Sequence, residues 1–139
     1  MISSSKFSTL VEAEVQCDEK EDPELERGYC HFNKDGNDKV FNISVFGYVL
    51  NLRQDPAATY LGHGAVVWDA AVVLAKYMEY DPRKFSLEKL KDKKVLELGS
   101  GCGLGGISYM LRGAVVTLTD LKSVTDIMTK PNTSVSDVM

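Results

Sequence analysis

Apolar and polar residues alternate along Val40-Phe41-Asn42-Ile43-Ser44-Val45-Phe46 and again along Tyr48-Val49-Leu50-Asn51-Leu52-Arg53, with Gly47 between the runs. A period of two predicts half-buried strands, and a glycine free to take positive φ at their junction predicts a β-hairpin. Pro56 ends this strand region, because proline cannot donate to a ladder. The period then changes. Across residues 66–78, Val67, Ala70, Ala71, Leu74, Tyr77 and Met78 recur at helical spacing, which predicts a buried helix that stops before Pro82. Residues 83–94 are rich in basic side chains and offer Ser86 as a cap, so they read as a solvated connector with one short turn.

Residues 94–98 (Lys-Val-Leu-Glu-Leu) then read as a buried strand and a glycine-rich turn follows. Residues 104–112 read as a helix with Gly113 suited to its C-terminus, and residues 114–119 as a second strand ending at Asp120. Strand, glycine turn, helix and strand in that order make the βαβ unit of a nucleotide-binding sheet. Ser123 opens one more helix, which Pro131 is expected to terminate. The fold class expected is therefore α/β, in three stretches: an arm over residues 1–28, an ordered domain over 29–130 and a polar tail over 131–139.

Composition narrows the picture. A chain of 139 residues, 44% hydrophobic and 26% charged, fits one soluble domain. Its longest apolar run, residues 70–75, is far short of the ~20 needed to span a bilayer. The first six residues carry no apolar signal core, so no export is expected. Residues 12–26 hold eight acids against Lys20, which leaves the rest of the chain mildly basic although the formal net charge is −4. That stretch, broken by Pro23, is expected to be a disordered, solvated arm; Asp35-Gly36 after it predicts a tight turn. The balance is too mild for nucleic-acid binding. Cys17, Cys30 and Cys102 are an odd number without metal-ligand spacing, so neither a disulfide scaffold nor a metal site is expected. A reducing compartment, cytoplasm or nucleus, fits best.

The chemistry sits in Glu97-Leu98-Gly99-Ser100-Gly101-Cys102-Gly103. Glycines there let the chain turn sharply after a strand and let a ligand approach the backbone. Asp120 follows about 20 residues beyond Gly99, where a carboxylate can accept hydrogen bonds from both hydroxyls of a ribose. The bland alternative is a tight corner with Asp120 capping the next helix, but the strand, helix, second strand and acid are all in place. Gly101-Cys102-Gly103-Leu104-Gly105-Gly106 also satisfies the dinucleotide fingerprint, which keeps a dinucleotide-binding oxidoreductase domain as an alternative. Register argues against it, since Gly99 already occupies the end of the strand. His31 and His63 are not assigned as bases, and the sequons at Asn42 and Asn132 are read as chance matches.

The frame Glu-x-Gly-x-Gly-x-Gly resembles motif I of the seven-strand S-adenosylmethionine-dependent methyltransferases. With Asn51-Leu52-Arg53-Gln54-Asp55, Gly64-Ala65-Val66-Val67-Trp68-Asp69-Ala70-Ala71 and Thr119-Asp120 in order around it, the chain resembles, over roughly residues 40–130, the non-histone protein-lysine methyltransferases related to those of Hsp70 and valosin-containing protein. The resemblance implies an incomplete Rossmann-like seven-strand fold with an N-terminal β-hairpin, S-adenosyl-L-methionine as cofactor and a lysine of a protein substrate as acceptor. It implies that Gly99, Ser100 and Gly101 line the methionyl moiety and that Asp120 holds the ribose. Trp68 would flank the cofactor, and Glu97 would orient the glycine loop or the methionyl amine. No catalytic residue is assigned, because in such enzymes a deprotonated lysine amine attacks the sulfonium methyl in line and the protein positions the reactants. Members of this group continue past the ribose acid with further strands and an Asp-x-x-Tyr segment, which do not follow Asp120 here. A truncated chain, weakly folded and with little activity, or a non-catalytic interaction fragment of methyltransferase shape, is therefore also expected.

Overall fold

A computed structural model describes residues 39–133. The acidic arm, the Asp35-Gly36 turn, His31, Cys17, Cys30 and the tail from residue 134 lie outside the described residues.

Strand β1 (Val40–Val45) pairs antiparallel with β2 (Tyr48–Arg53), Val45 opposite Tyr48 and Val40 opposite Arg53. Ile43, Val45, Leu50 and Leu52 point into the core while Asn42 and Asn51 face out, as alternation requires. The two-residue turn puts Phe46 at φ 55° and Gly47 at φ 84°, the pair of positive values that matches hairpin twist. For a bulky residue this φ is uncommon. Phe46 is held there by its N–H donating to Glu79 Oε1 at 2.5 Å and by the Arg112 guanidinium 4.5 Å from its ring centre.

Two 3₁₀ turns within Thr59–Ala65, separated by a kink at Gly62 (φ 60°), lead to helix α1 (Asp69–Tyr80). Its buried face is Val72, Ala75 and Met78, with Leu74 and Tyr77 exposed, so the predicted face is rotated and, among the described residues, the helix is covered on one side. With Val and Ala on nearly every side, a polar clasp selects the face. Lys76 Nζ donates to Ser44 O (2.5 Å) and to Glu79 Oε2 (2.8 Å), docking α1 on the hairpin.

Ser86 caps the short helix α2 (Leu87–Leu90), its Oγ accepting from Lys89 N at 3.3 Å. Strands β3 (Lys94–Leu98) and β4 (Val115–Thr119) then pair in parallel, Lys94 opposite Val115 and Leu98 opposite Thr119, with α3 (Leu104–Met110) as the crossover. The expectation of a buried β3 is corrected. Val95 and Glu97 face α3, but Leu96 and Leu98 are 61% and 76% exposed, because α3 covers only one face of this strand pair among the described residues.

A last correction concerns Pro131. Helix α4 (Lys122–Val124) passes through a π-helical turn (Thr125–Thr129) into α5 (Lys130–Thr133), with Thr125 and Lys130 in the right-handed helical region. Pro131 directly follows the π-helical turn, in which Lys130 N reaches back five residues to Thr125 O, and this wider turn takes the proline, so the chain continues instead of stopping. Met128, Val124 and Leu118 are fully buried in the same core.

Candidate functional site

The site is built at the carboxyl ends of the two parallel strands, the edge at which open α/β sheets bind ligands. β3 ends at Leu98, and Gly99 (φ 67°), Gly101 (φ 53°) and Gly103 (φ 88°) turn the chain into α3. All three φ values favour glycine. Ser100 N donates to Thr119 O (3.0 Å) and Gly103 N to Ser100 O (2.8 Å), so the loop lies against the end of β4. Asp120 closes it: Oδ2 accepts from Gly101 N and Oδ1 from Leu121 N, both at 2.7 Å.

Of the residues singled out from the sequence, Gly99, Ser100, Gly101 and Asp120 come together here. The open side of the loop is at Gly99, where an added Cβ would meet nothing within 4 Å. Ser100 is 8% exposed and its Oγ is buried with no hydrogen-bond partner among the described residues. Trp68 reaches the loop indirectly. Its indole N–H donates to His63 O at 2.7 Å, the His63 ring stands edge-on to it at 5.5 Å, and Gly64 O lies 3.5 Å from where a Gly101 Cβ would be. The indole itself is half exposed.

Glu97 lies on the other side, beneath α3. Its Oε2 accepts from Gly106 N at 2.7 Å, and a Cβ on Gly105 would fall 2.5 Å from Oε1. Burial raises its pKa above the ordinary 4.5; the Gly106 hydrogen bond opposes this, and the negative charge of Asp120 adds to it. A carboxyl with a raised folded-state pKa contributes stability below its unfolded pKa, and that contribution is lost as pH rises through the folded value. Glu97→Gln keeps an acceptor for Gly106 N and removes the charge. The variant is expected to melt higher than the unaltered chain at pH 7, with the gap closing as pH falls toward 4.5. Melting curves across that range check this; a gap that widens on acidification would contradict it.

Cys102 is buried, its thiol pushed up to about 12 by burial first and by Asp120 second, which suits a packed side chain and not a nucleophile. Among the described residues no cluster of three or more metal-ligating side chains forms. Asn132, whose sequon was read as chance, is 6% exposed and fully engaged inside the protein. Two contributors were missed by the sequence reading. Thr129 Oγ1 donates to Gly101 O at 2.8 Å and Asn132 Nδ2 to Cys102 O at 2.9 Å. No signal in a single sequence marks either, since they lie outside the motif.

The sequence pattern of a family described as "Lysine methyltransferase" matches residues 48–137. Protein N-lysine methyltransferase METTL21A of Danio rerio is 48% identical over 69 residues, 50% of this chain and 29% of the relative. The protein of the same name from Mus musculus is 44% identical over 80 residues, 58% of this chain and 34% of the relative. EEF1A lysine methyltransferase 3 of Xenopus tropicalis is 47% identical over 75 residues, covering 54% and 31%. The chain thus spans about a third of the length of the curated relatives it matches.

Proposed function

The chain belongs to the lysine methyltransferase family, and from that premise we propose that it carries the cofactor half of an S-adenosylmethionine-dependent protein-lysine N-methyltransferase. The observation that carries the reading is the parallel β3–α3–β4 unit whose glycine loop is bound by the acid at the end of β4, Gly101 N to Asp120 Oδ2. In the same reading the unit is part of a Rossmann-like seven-strand sheet in which β3 is an inner strand, and the exposed Leu96 and Leu98 belong to a face made to be covered.

The residues present fit the cofactor. The buried Ser100 hydroxyl, unpartnered among the described residues, offers a polar contact for the ligand. Gly99 leaves the loop open to close approach, and the Asp120 carboxylate, with about four acceptor positions, has two to spare for ribose hydroxyls after Gly101 N and Leu121 N are bound. Trp68, half exposed beside His63 and Gly64, would flank the ligand. Glu97 would orient the loop through Gly106 instead of touching the methionyl amine, since its carboxylate is under α3. When bound, the cofactor supplies an electrophilic sulfonium methyl; this chain's part is to bind it, orient it and exclude water around it.

Calorimetric titration of S-adenosylhomocysteine and of NAD separates this reading from the oxidoreductase alternative. Binding of the homocysteine product with no response to NAD is expected, and a preference for NAD would overturn the proposal. The 139-residue chain is further expected to bind cofactor weakly and to transfer little or no label from S-adenosylmethionine to lysine. An amine acceptor that no described residue positions loses the proximity contribution, and the exposed Leu96, Leu98 and Val115 invite association between folded chains. Robust transfer by the purified monomer would contradict that expectation.

A further inference from the structure

Resting on the cofactor reading above, we infer that Asn132 and Thr129 are positioning residues that preorganise the glycine loop and tether it to the end of the hairpin.

A loop with three glycines at positive φ is intrinsically the most mobile kind of backbone, and any order imposed on it only when a ligand arrives is subtracted from affinity. Here the order exists beforehand. The N–H groups are fixed within the unit: Ser100 N on Thr119 O, Gly101 N on Asp120, Gly103 N on Ser100 O. The carbonyls of Gly101 and Cys102 are fixed from outside it, by Thr129 Oγ1 at 2.8 Å and Asn132 Nδ2 at 2.9 Å. The Ser100–Gly101 and Cys102–Gly103 peptide groups are engaged on both sides and the Gly101–Cys102 group at its carbonyl, so none can flip without breaking a bond.

Asn132 does more than satisfy the loop. The same Nδ2 donates to Arg53 O at 3.0 Å and Oδ1 accepts from Arg53 N at 2.6 Å, so one buried amide joins β2 to Cys102. The next residue, Gln54, accepts from Val67 N through Oε1 at 3.2 Å, one position before Trp68. The end of the hairpin therefore braces the loop on one side and the tryptophan segment on the other. Thr129 and Asn132 are almost fully buried, and a polar side chain is expensive there unless its bonds are made. If Asn132 served only to cover the free edge of β2, its bond to Cys102 O would be unnecessary.

The test uses the full 139-residue chain with S-adenosylhomocysteine as probe, comparing Asn132→Ala, Thr129→Val and Thr129→Ser. Each of the first two is expected to raise Kd about tenfold, the scale of one lost hydrogen bond plus loop disorder, with the number of sites per folded molecule unchanged. Thr129→Ser, which keeps the hydroxyl, is expected to stay within about threefold of the unaltered chain. Hydrogen exchange without cofactor is the second readout: the Gly101 and Gly103 amides should exchange faster in Asn132→Ala and Thr129→Val while β1 and β2 keep their protection. Fewer binding-competent molecules at unchanged Kd, or unchanged loop exchange, would overturn the inference. If the unaltered chain binds no S-adenosylhomocysteine, the cofactor reading falls, and the exchange rates alone then decide whether the clamp exists.

Discussion

Gly106→Ala is expected to abolish or strongly depress the cooperative thermal transition of the chain, although alanine is the better helix former. Gly106 lies inside α3 with ordinary helical backbone, so the substitution should gain about 1 kcal/mol in propensity. Sterics oppose this. An added Cβ would stand 2.1 Å from Leu118 Cδ2, 2.7 Å from Glu97 Oε2 and 3.1 Å from Val116 Cγ1. Leu118 is fully buried, and Glu97 is held by Gly106's own N–H, so no neighbour can swing clear. Overpacking of this kind costs about 3 kcal/mol, which outweighs the gain and is a large share of a small domain's total stability. Gly99→Ala is the informative companion. It meets nothing within 4 Å but keeps φ at 67°, so it should cost only about 1–2 kcal/mol of left-handed strain. Adding Leu118→Ala to Gly106→Ala should recover part of the loss through positive coupling. Melting curves of these three variants, of Leu118→Ala alone and of the parent check the order; a Gly106→Ala chain as stable as the parent would mean that α3 does not pack this closely on β4.

The close approach at Gly106 also marks how far the sequence alone could be read. The hairpin was legible because two alternating runs flanked a glycine, and the β3–loop–α3–β4 order was legible because strand, glycines and acid each carry a local signal. What escaped was decided by distant partners. The buried face of α1 could not be chosen from a segment apolar on nearly all sides; Lys76 and Glu79 choose it by bonding Ser44 O and Phe46 N, more than thirty positions away. The helix through Pro131 was unreadable because the π-helical turn before it absorbs the proline. The exposure of Leu96 and Leu98 was missed because an apolar strand looks the same whether one face or both are covered. In the site itself, Asp120 was named from its spacing to Gly99 and Glu97 from the family resemblance, whereas Thr129 and Asn132 could be found only once the last described helix was seen to bond the loop carbonyls.

Asp120→Ala is expected to lower affinity for S-adenosylhomocysteine by more than a hundredfold, the largest effect of any single site substitution. Two losses combine. The first is direct: in the proposed complex the spare acceptor positions of the carboxylate take the ribose hydroxyls, and hydrogen bonds to a charged group contribute about 1.5–3 kcal/mol each. The second is the loop, since Gly101 N and Leu121 N lose their 2.7 Å acceptors together, and a glycine turn released at Gly101 must be ordered again on binding. At about 1.4 kcal/mol per tenfold, even the lower end of two ribose bonds gives roughly a hundredfold, and the loosened loop adds to it. Asp120→Asn separates the parts. Its one carbonyl oxygen can serve Gly101 N or a ribose hydroxyl with less charge behind it, so its affinity should fall between those of the parent and Asp120→Ala. Calorimetry on the three chains, with hydrogen exchange to confirm that β3 and β4 stay paired, provides the measurement. An Asp120→Ala chain that binds within threefold of the parent would remove Asp120 from the cofactor site and leave it as an acceptor for Gly101 N and Leu121 N alone.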